Sequence, residues 1–203
     1  MDHFWNQRYR DKEYAYGMVP NEFFKSQILK INTGKILLPA EGEGRNAVYA
    51  AQKGWEVTAF DASIEAKKKA EILAFNNKVQ MKYDLGSVEE ISYDPESFDA
   101  IALIFAHFPK ENRGKYYRKV SSYLKSGGIL ILECFSEKHI RNQQESPKAG
   151  GPKEASMLCS LEETKKELPD FNFLMAEEAE IILNEGLYHI GKANVIRMVA
   201  EKK

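Results

Sequence analysis

From Lys35 onward the chain alternates short apolar runs with amphipathic stretches, and this rhythm constrains the fold more than any other feature. KILLPA, WEVTAFD, KVQMKYD, SFDAIALIF and ILILECF read as strands. Between them Arg45 to Lys53, SIEAKKKAEILAFNN and ENRGKYYRKVSSYLKSGG read as helices. Gly54 ends the first of these, Ser63 starts the second, and Gly127 with Gly128 stops the third. Strands and helices in alternation predict an α/β fold: a doubly wound, Rossmann-like, mostly parallel sheet with helices on both faces. SFDAIALIF is apolar almost throughout, as a strand covered on both faces must be. Near the end, FNFLMAEEAEIIL and YHIGKANVIRMVA flank NEGL as an antiparallel hairpin.

One domain is expected over 1–203, because a chain of 203 residues can bury roughly 70% of its unfolded surface without a disulfide or metal staple. An aromatic and helical cap over 1–33 precedes a cofactor-binding core over 34–135. In the cap, Asn21 is placed to start a helix whose Phe24, Ile28 and Ile31 share one face, predicted to cover an edge of the sheet. A polar segment over 136–159, with two prolines, two glycines and no period, reads as a mobile loop on the substrate side. A helix and the hairpin complete the chain over 160–203. Lys67, Lys68 and Lys69 belong on a solvated helix side.

The 29 basic and 30 acidic residues are interspersed, for a net charge of -1, so no basic face for nucleic acid is expected. No apolar run approaches the ~18 residues that span a bilayer, and the first residues carry no apolar leader, so a soluble, cytoplasmic protein is expected. The sequence assigns no oligomeric state. Cys134 lies in the apolar run GGILILECF, where a thiol acts as a small hydrophobe, and no spacing of histidine, cysteine and carboxylate suggests a metal site.

The turn after the first strand, Gly42-Glu43-Gly44-Arg45-Asn46-Ala47, is a G-x-G-x-x-A. In an open parallel sheet this turn lies where ligands bind, beyond the carboxyl ends of the strands. Gly42 and Gly44 let the backbone turn tightly and a ligand come close. Asp61, ending the second strand 19 residues after Gly42, is placed to accept from ribose hydroxyls, with Ala62 beside it. These features suit a nicotinamide dinucleotide or S-adenosylmethionine. Charge separates them: Glu41 and Glu43 oppose a pyrophosphate, whereas the ammonium and sulfonium of S-adenosylmethionine favour carboxylates. Its carboxylate could use Arg45 or the helix N-terminus. Asp84, closing KVQMKYD, is placed either to cap a turn or to accept from an adenine amino group, with Leu85 against the ring and Phe105 completing the pocket. Phe60 and Ile64 suit either the adenine or the core.

The chain resembles the class I S-adenosylmethionine-dependent methyltransferases, and is similar to the tellurite-resistance and thiopurine group. FWNQRY with YAYGMVPNEFF, PAEGEGRNAVYAAQKG, VTAFDAS, MKYDLG, FDAIALIFAHFP and LKSGGILILECF carry the resemblance. It implies a seven-stranded sheet with an antiparallel last strand, S-adenosylmethionine as cofactor and S-adenosylhomocysteine as product. It also implies a small-molecule acceptor, such as a thiol or a chalcogen oxyanion. One departure is Leu38, where the group commonly has an acid. A nicotinamide-dependent oxidoreductase and a non-catalytic cofactor-binding domain are the alternatives.

Methyl transfer from a sulfonium is an in-line displacement that depends on positioning and on excluding water. Trp5, Tyr9, Tyr14 and Tyr16 either wall the sulfonium by cation-π attraction or pack the first segment on the sheet. Arg8 could pair with an anionic acceptor. His107, just past the fourth strand, is the candidate proton acceptor or substrate ligand. Tyr188 and His189 in the hairpin turn are candidates for the substrate side, and His3 and His139 are expected on the surface.

Overall fold

The computed structural model describes residues 2–203, with side chains from Phe4 onward. Seven strands form one sheet: β1 (Lys35–Pro39), β2 (Glu56–Asp61), β3 (Lys82–Leu85), β4 (Phe98–Ile104), β5 (Leu124–Phe135), β6 (Phe171–Glu185) and β7 (His189–Lys202). Their order is β3-β2-β1-β4-β5-β7-β6. β1 to β5 pair in parallel, and β7 lies antiparallel between β5 and β6. The winding therefore reverses between β1 and β4, which is where a doubly wound sheet opens a crevice at its carboxyl ends.

Helices are α1 (Asp2–Tyr9), α2 (Glu22–Ile28), α3 (Arg45–Gln52), α4 (Ile64–Asn76), α5 (Lys110–Ser122), α6 (His139–Glu145) and α7 (Leu161–Glu167). Side chains alternate across a strand, so the sheet feeds two cores. Ile36 and Leu38 of β1, with Ala100, Ala102 and Ile104 of β4, pack against Phe23, Phe24 and Ile28 of α2 and Ala47 and Ala50 of α3. Leu37, Ile101 and Leu103 point to the other face, where Tyr117 and Val120 of α5 cover them. Each buried Leu, Ile, Val or Phe among them contributes about 1.5–3 kcal/mol by leaving water. α2 thus lies on the face of the central strands, not on a sheet edge. Asn21 caps it as expected, its side chain accepting from the Phe24 N–H at 2.9 Å. Ser63 does the same for α4, accepting from the Ala66 N–H at 3.2 Å.

Two segments and two side chains differ from expectation. α5 stops at Ser122, and LKSGG joins β5 through an irregularity opposite Phe98 and Ala100, with Gly127 at a left-handed φ of +74°. The glycines shape a bulge in the strand and not a helix end. Residues 136–159 are built into the fold: α6 packs on β7, Ser136 bridges Cys159, and His139 is fully buried. Their hydrophobic anchors, Ala149 and Leu158, are too far apart to show a period. His139 is therefore a core residue and not a surface one, while the side chain of His3 lies outside the described residues. Lys69, expected in solvent, is turned inward to an ion pair. Among the described residues no helix is long and apolar enough to cross a membrane.

Candidate functional site

The turn leaving β1 is held by carboxylates. Glu41 accepts from the backbone N–H groups of Asn46 and Ala47, both at 2.8 Å, and so takes the donors that open α3. Gly44, at the start of that helix, offers no side-chain cap, so Glu41 supplies it. Burial pushes the Glu41 carboxyl up to about 7, against the lowering by these hydrogen bonds and by Arg45. Glu43 is buried and paired with Lys69 Nζ at 2.7 Å. Asp61 accepts from the Gly42 N–H at 3.0 Å and the Ser63 N–H at 2.9 Å, tying the ends of β1 and β2 together. Gly44 is needed for closeness: a Cβ there would meet the Ala70 Cβ of α4 at 2.7 Å. Ala40 and Phe105, just past β1 and β4, both take a left-handed φ of 52°. For residues with a Cβ that conformation costs ~1–3 kcal/mol, and strain of this kind gathers at functional sites.

Arg45 and the hairpin meet beneath this turn. Arg45 Nη2 pairs with Glu185 Oε2 at 2.8 Å, and its Nη1 donates to the Tyr16 carbonyl at 3.0 Å. The same Glu185 oxygen lies 3.1 Å from His189 Nδ1, and its other oxygen accepts from Asn21 Nδ2 at 3.1 Å. That amide also donates to Glu133 at 2.7 Å, and Arg197 pairs with Glu133 at 2.5 Å. Burial alone would raise Glu185, but the His189 hydrogen bond and the Arg45 guanidinium bring it down to about 2. The guanidinium expected to face a cofactor carboxylate thus joins the first segment, α3 and the hairpin.

Above the turn is a cleft with about 470 Å³ of free space, part of it open to solvent. Trp5, Tyr9, Tyr16, Glu41, Gly42, Arg45, Phe105, His107 and His189, all predicted from sequence, meet around it. Tyr9 stands directly over Gly42, whose added Cβ would come within 2.9 Å of the Tyr9 hydroxyl oxygen. Trp5 stacks on Tyr9 at 5.5 Å, and Tyr16 lies 4.4 Å from the His189 ring. Phe105 sits between Phe135 at 4.6 Å and His189 at 4.8 Å. Burial pulls His107 down to about 3, with His189 and His139 adding to the shift. His189 is lowered too, by burial, against the hydrogen bond to Glu185. Burial disfavours the charged form of both rings.

Other predicted residues lie beside the cleft. Arg8 stacks its guanidinium 3.8 Å from the Tyr188 ring centre, and Tyr188 lies 6.2 Å from Tyr16. Ala62, Asp84 and Leu85 continue the rim along the ends of β2 and β3, Leu85 being exposed. Asp84 accepts from the Tyr93 hydroxyl at 2.8 Å and pairs with Lys82 at 2.9 Å. Tyr14 is away from the cleft, its hydroxyl donating to the Lys69 carbonyl. Phe60 is core and Ile64 partly exposed. Sequence reasoning missed Asn21 as a network residue, Lys69, Glu133 and Glu185. Glu133 alone left a sign, as a single carboxylate inside the apolar run ILILECF, whereas Glu185 shares its strand with Glu177, Glu178 and Glu180.

Residues 36–128 match the family described as a methyltransferase domain. Over 121 residues the chain is 30% identical to a glycine/sarcosine N-methyltransferase of Aphanothece halophytica, a match covering 55% of this chain and 44% of that protein. The chain thus spans less than half the length of that relative. Among solved structures, one from a study of the conversion of a disulfide bond into a thioacetal group during echinomycin biosynthesis has a TM-score of 0.81 at 15% identity. It covers 100% of this chain and 92% of its own. TehB from Haemophilus influenzae has a TM-score of 0.72 at 17% identity, covering 100% and 67%. The magnesium protoporphyrin IX methyltransferase of Synechocystis, with bound S-adenosylhomocysteine, has 0.68 at 13%, covering 89% and 81%. These structures share the fold.

Proposed function

We propose that this chain, whose residues 36–128 carry a domain of the class I S-adenosylmethionine-dependent methyltransferase kind, moves a methyl group from S-adenosylmethionine to a small-molecule acceptor. The observation that carries this is an aromatic cleft at the switch point in which Glu43 is paired with Lys69, Arg45 with Glu185, and Glu41 is held by the N–H groups that open α3. Trp5, Tyr9 and Tyr16 offer ring faces worth ~0.5–2 kcal/mol each to a cation. A pyrophosphate would find the N–H groups of Asn46 and Ala47 taken by Glu41, which argues against a nicotinamide dinucleotide. The bound donor supplies an electrophilic methyl on a sulfonium and leaves as S-adenosylhomocysteine.

On this reading Glu41, Gly42, Gly44 and Arg45 hold the amino-acid end, Asp61 and Ala62 the ribose, and Asp84, Leu85 and Phe105 the adenine. Trp5, Arg8, Tyr9, Tyr16, Tyr188 and His189 wall the acceptor, with His107 as its hydrogen-bonding ligand. The acceptor is a soft nucleophile, a thiol or chalcogen oxyanion. The whole-chain likeness to a structure from a study of disulfide-to-thioacetal conversion supports a soft acceptor, and the name of the Aphanothece relative makes amines the natural control. Calorimetry tests the first part: binding of S-adenosylmethionine and S-adenosylhomocysteine is expected, and no heat at millimolar ligand refutes it. Labelled methyl transfer screened over thiols, selenite, tellurite, glycine and sarcosine tests the second, and transfer confined to the amines refutes a soft acceptor.

A further inference from the structure

Among the described residues one buried polar side-chain atom has no hydrogen-bond partner, Nδ1 of His107. The ring lines the cleft and stacks on Phe135 at 5.8 Å with a 20° interplanar angle. Nε2 makes no hydrogen bond to the protein and is not enclosed, so it is the ring nitrogen that opens on the cleft. A neutral imidazole carries one N–H and one lone pair. An enclosed N–H without an acceptor is the costlier and rarer defect, and an enclosed lone pair the milder one. The enclosed Nδ1 therefore keeps the lone pair and Nε2 carries the proton.

We infer that His107 serves the acceptor as an N–H donor through Nε2 and not as a general base, and that the acceptor enters the cleft already ionised, as a thiolate-like anion. This rests on the methyl-transfer reading above. A base at Nε2 would need the proton on Nδ1, where nothing accepts it. Nor does a carboxylate stand by to stabilise a charged ring. From β5 the ring faces Phe135, from α6 His139 and from β7 His189. Glu185 is held by Arg45 and His189, Glu43 by Lys69, and Glu41 by the start of α3, while Tyr9 and Tyr16 are un-ionised phenols. Burial also keeps the imidazole far too weak a base at neutral pH. In the transfer itself the acceptor's lone pair forms the new bond to the methyl carbon as the carbon–sulfur bond of the donor breaks. That bond's electron pair returns to sulfur, and no proton moves.

Two measurements test this on the full chain. The sequence holds four histidines, so nitrogen-15 NMR of histidine-labelled protein, assigned with His107→Gln, reads the tautomer directly. An Nε2–H imidazole from pH 8 down to about 5 is expected; an Nδ1–H form, or titration near pH 6.5, overturns the inference. The second is methyl transfer to thiols of graded acidity. The apparent pKa in kcat/KM should follow each thiol in turn, with His107→Gln, which keeps a donor, within about tenfold of wild type. His107→Phe should fall a further ~10- to 100-fold, the worth of a hydrogen bond to a charged partner. An apparent pKa that stays fixed as the thiol changes, and vanishes in His107→Gln, overturns it. Absence of both turnover and S-adenosylhomocysteine binding would overturn the methyl-transfer reading and the acceptor half with it, while the tautomer is still decided by NMR.

Discussion

Replacing Glu41 by Gln should stabilise this protein at pH 8 and leave it nearly unchanged at pH 4.5. The Glu41 carboxyl is lifted from its ordinary 4.5 to about 7, first by burial and despite hydrogen bonds from Ala47 and Asn46 and the charge of Arg45. A group raised on folding binds more protons in the native than in the unfolded state between those two pH values, so stability falls as pH rises through that window. The span of about 2.5 pH units, at ~1.36 kcal/mol each, amounts to about 3 kcal/mol. Gln keeps an oxygen for the Asn46 and Ala47 N–H groups and ionises nowhere. The difference in unfolding free energy between mutant and wild type should therefore grow by about 3 kcal/mol from pH 4.5 to pH 8, and for a domain of this size that is roughly 6–12 °C in Tm. Urea unfolding at pH 4.5, 6 and 8 measures it. A difference that does not change across this range refutes the assignment of Glu41 as a buried acid charged against its environment.

Glu185 carries the opposite sign. Its carboxyl is held near 2, so it stabilises the fold above pH 4.5 and that stability is lost as pH falls from 4.5 towards 2; Glu185→Gln should cost about 3 kcal/mol at pH 7 and progressively less in acid, read by urea unfolding. Lys69→Met leaves Glu43 buried without its cation and should cost ~3 kcal/mol, whereas Lys69→Met with Glu43→Leu should recover most of it, as a thermal-unfolding cycle would show. Arg113, 1% exposed, bonds Glu167 at 2.9 Å and the Leu158 carbonyl at 3.0 Å. Arg113→Met should lower stability by ~3–5 kcal/mol, measured as the urea midpoint.

The parallel core was legible because its signals are local. Apolar runs, the caps Asn21 and Ser63, and the glycine turn each act within a few residues, and the structure places them where the rhythm does. The hairpin was legible for the same reason. The boundary between α5 and β5 was not, because Gly127 and Gly128 suit a helix end and a strand bulge equally. Nor was the order in 136–159, which depends on His139 bonding towards Gly150 and on Ser136 pairing with Cys159, contacts that only the folded chain creates. In the candidate site, Glu41, Gly42, Phe105 and His107 were readable because they follow the ends of β1 and β4, and Trp5, Tyr9 and Tyr16 because they form an aromatic cluster in the first segment. What their charges do was not. Glu41 and Glu43 read as free carboxylates, yet one caps α3 and the other is neutralised from α4. The partners lie 26 and 140 residues away for Glu43–Lys69 and Arg45–Glu185, and no spacing rule reaches that far.

The paired charges bear on which acceptor the cleft would favour. A cation and an anion that meet in methyl transfer cancel each other in the transition state, so the reaction loses charge as it proceeds. Water stabilises the separated ions and therefore opposes that loss, while a low-dielectric cleft does not. With Glu43 and Arg45 each satisfied from outside, and burial disfavouring the charged forms of His107, His189 and Glu41, the cleft supplies little fixed charge to compete with the reacting pair. A neutral amine gains less there, because its positive charge merely moves from sulfur to nitrogen. On the proposed reading, thiolates should then outrun amines of equal basicity by more in this cleft than they do in water, with the ratio of kcat/KM values set against that of the uncatalysed rates. Equal ratios would mean that the pairing of Glu43 and Arg45 serves the fold alone.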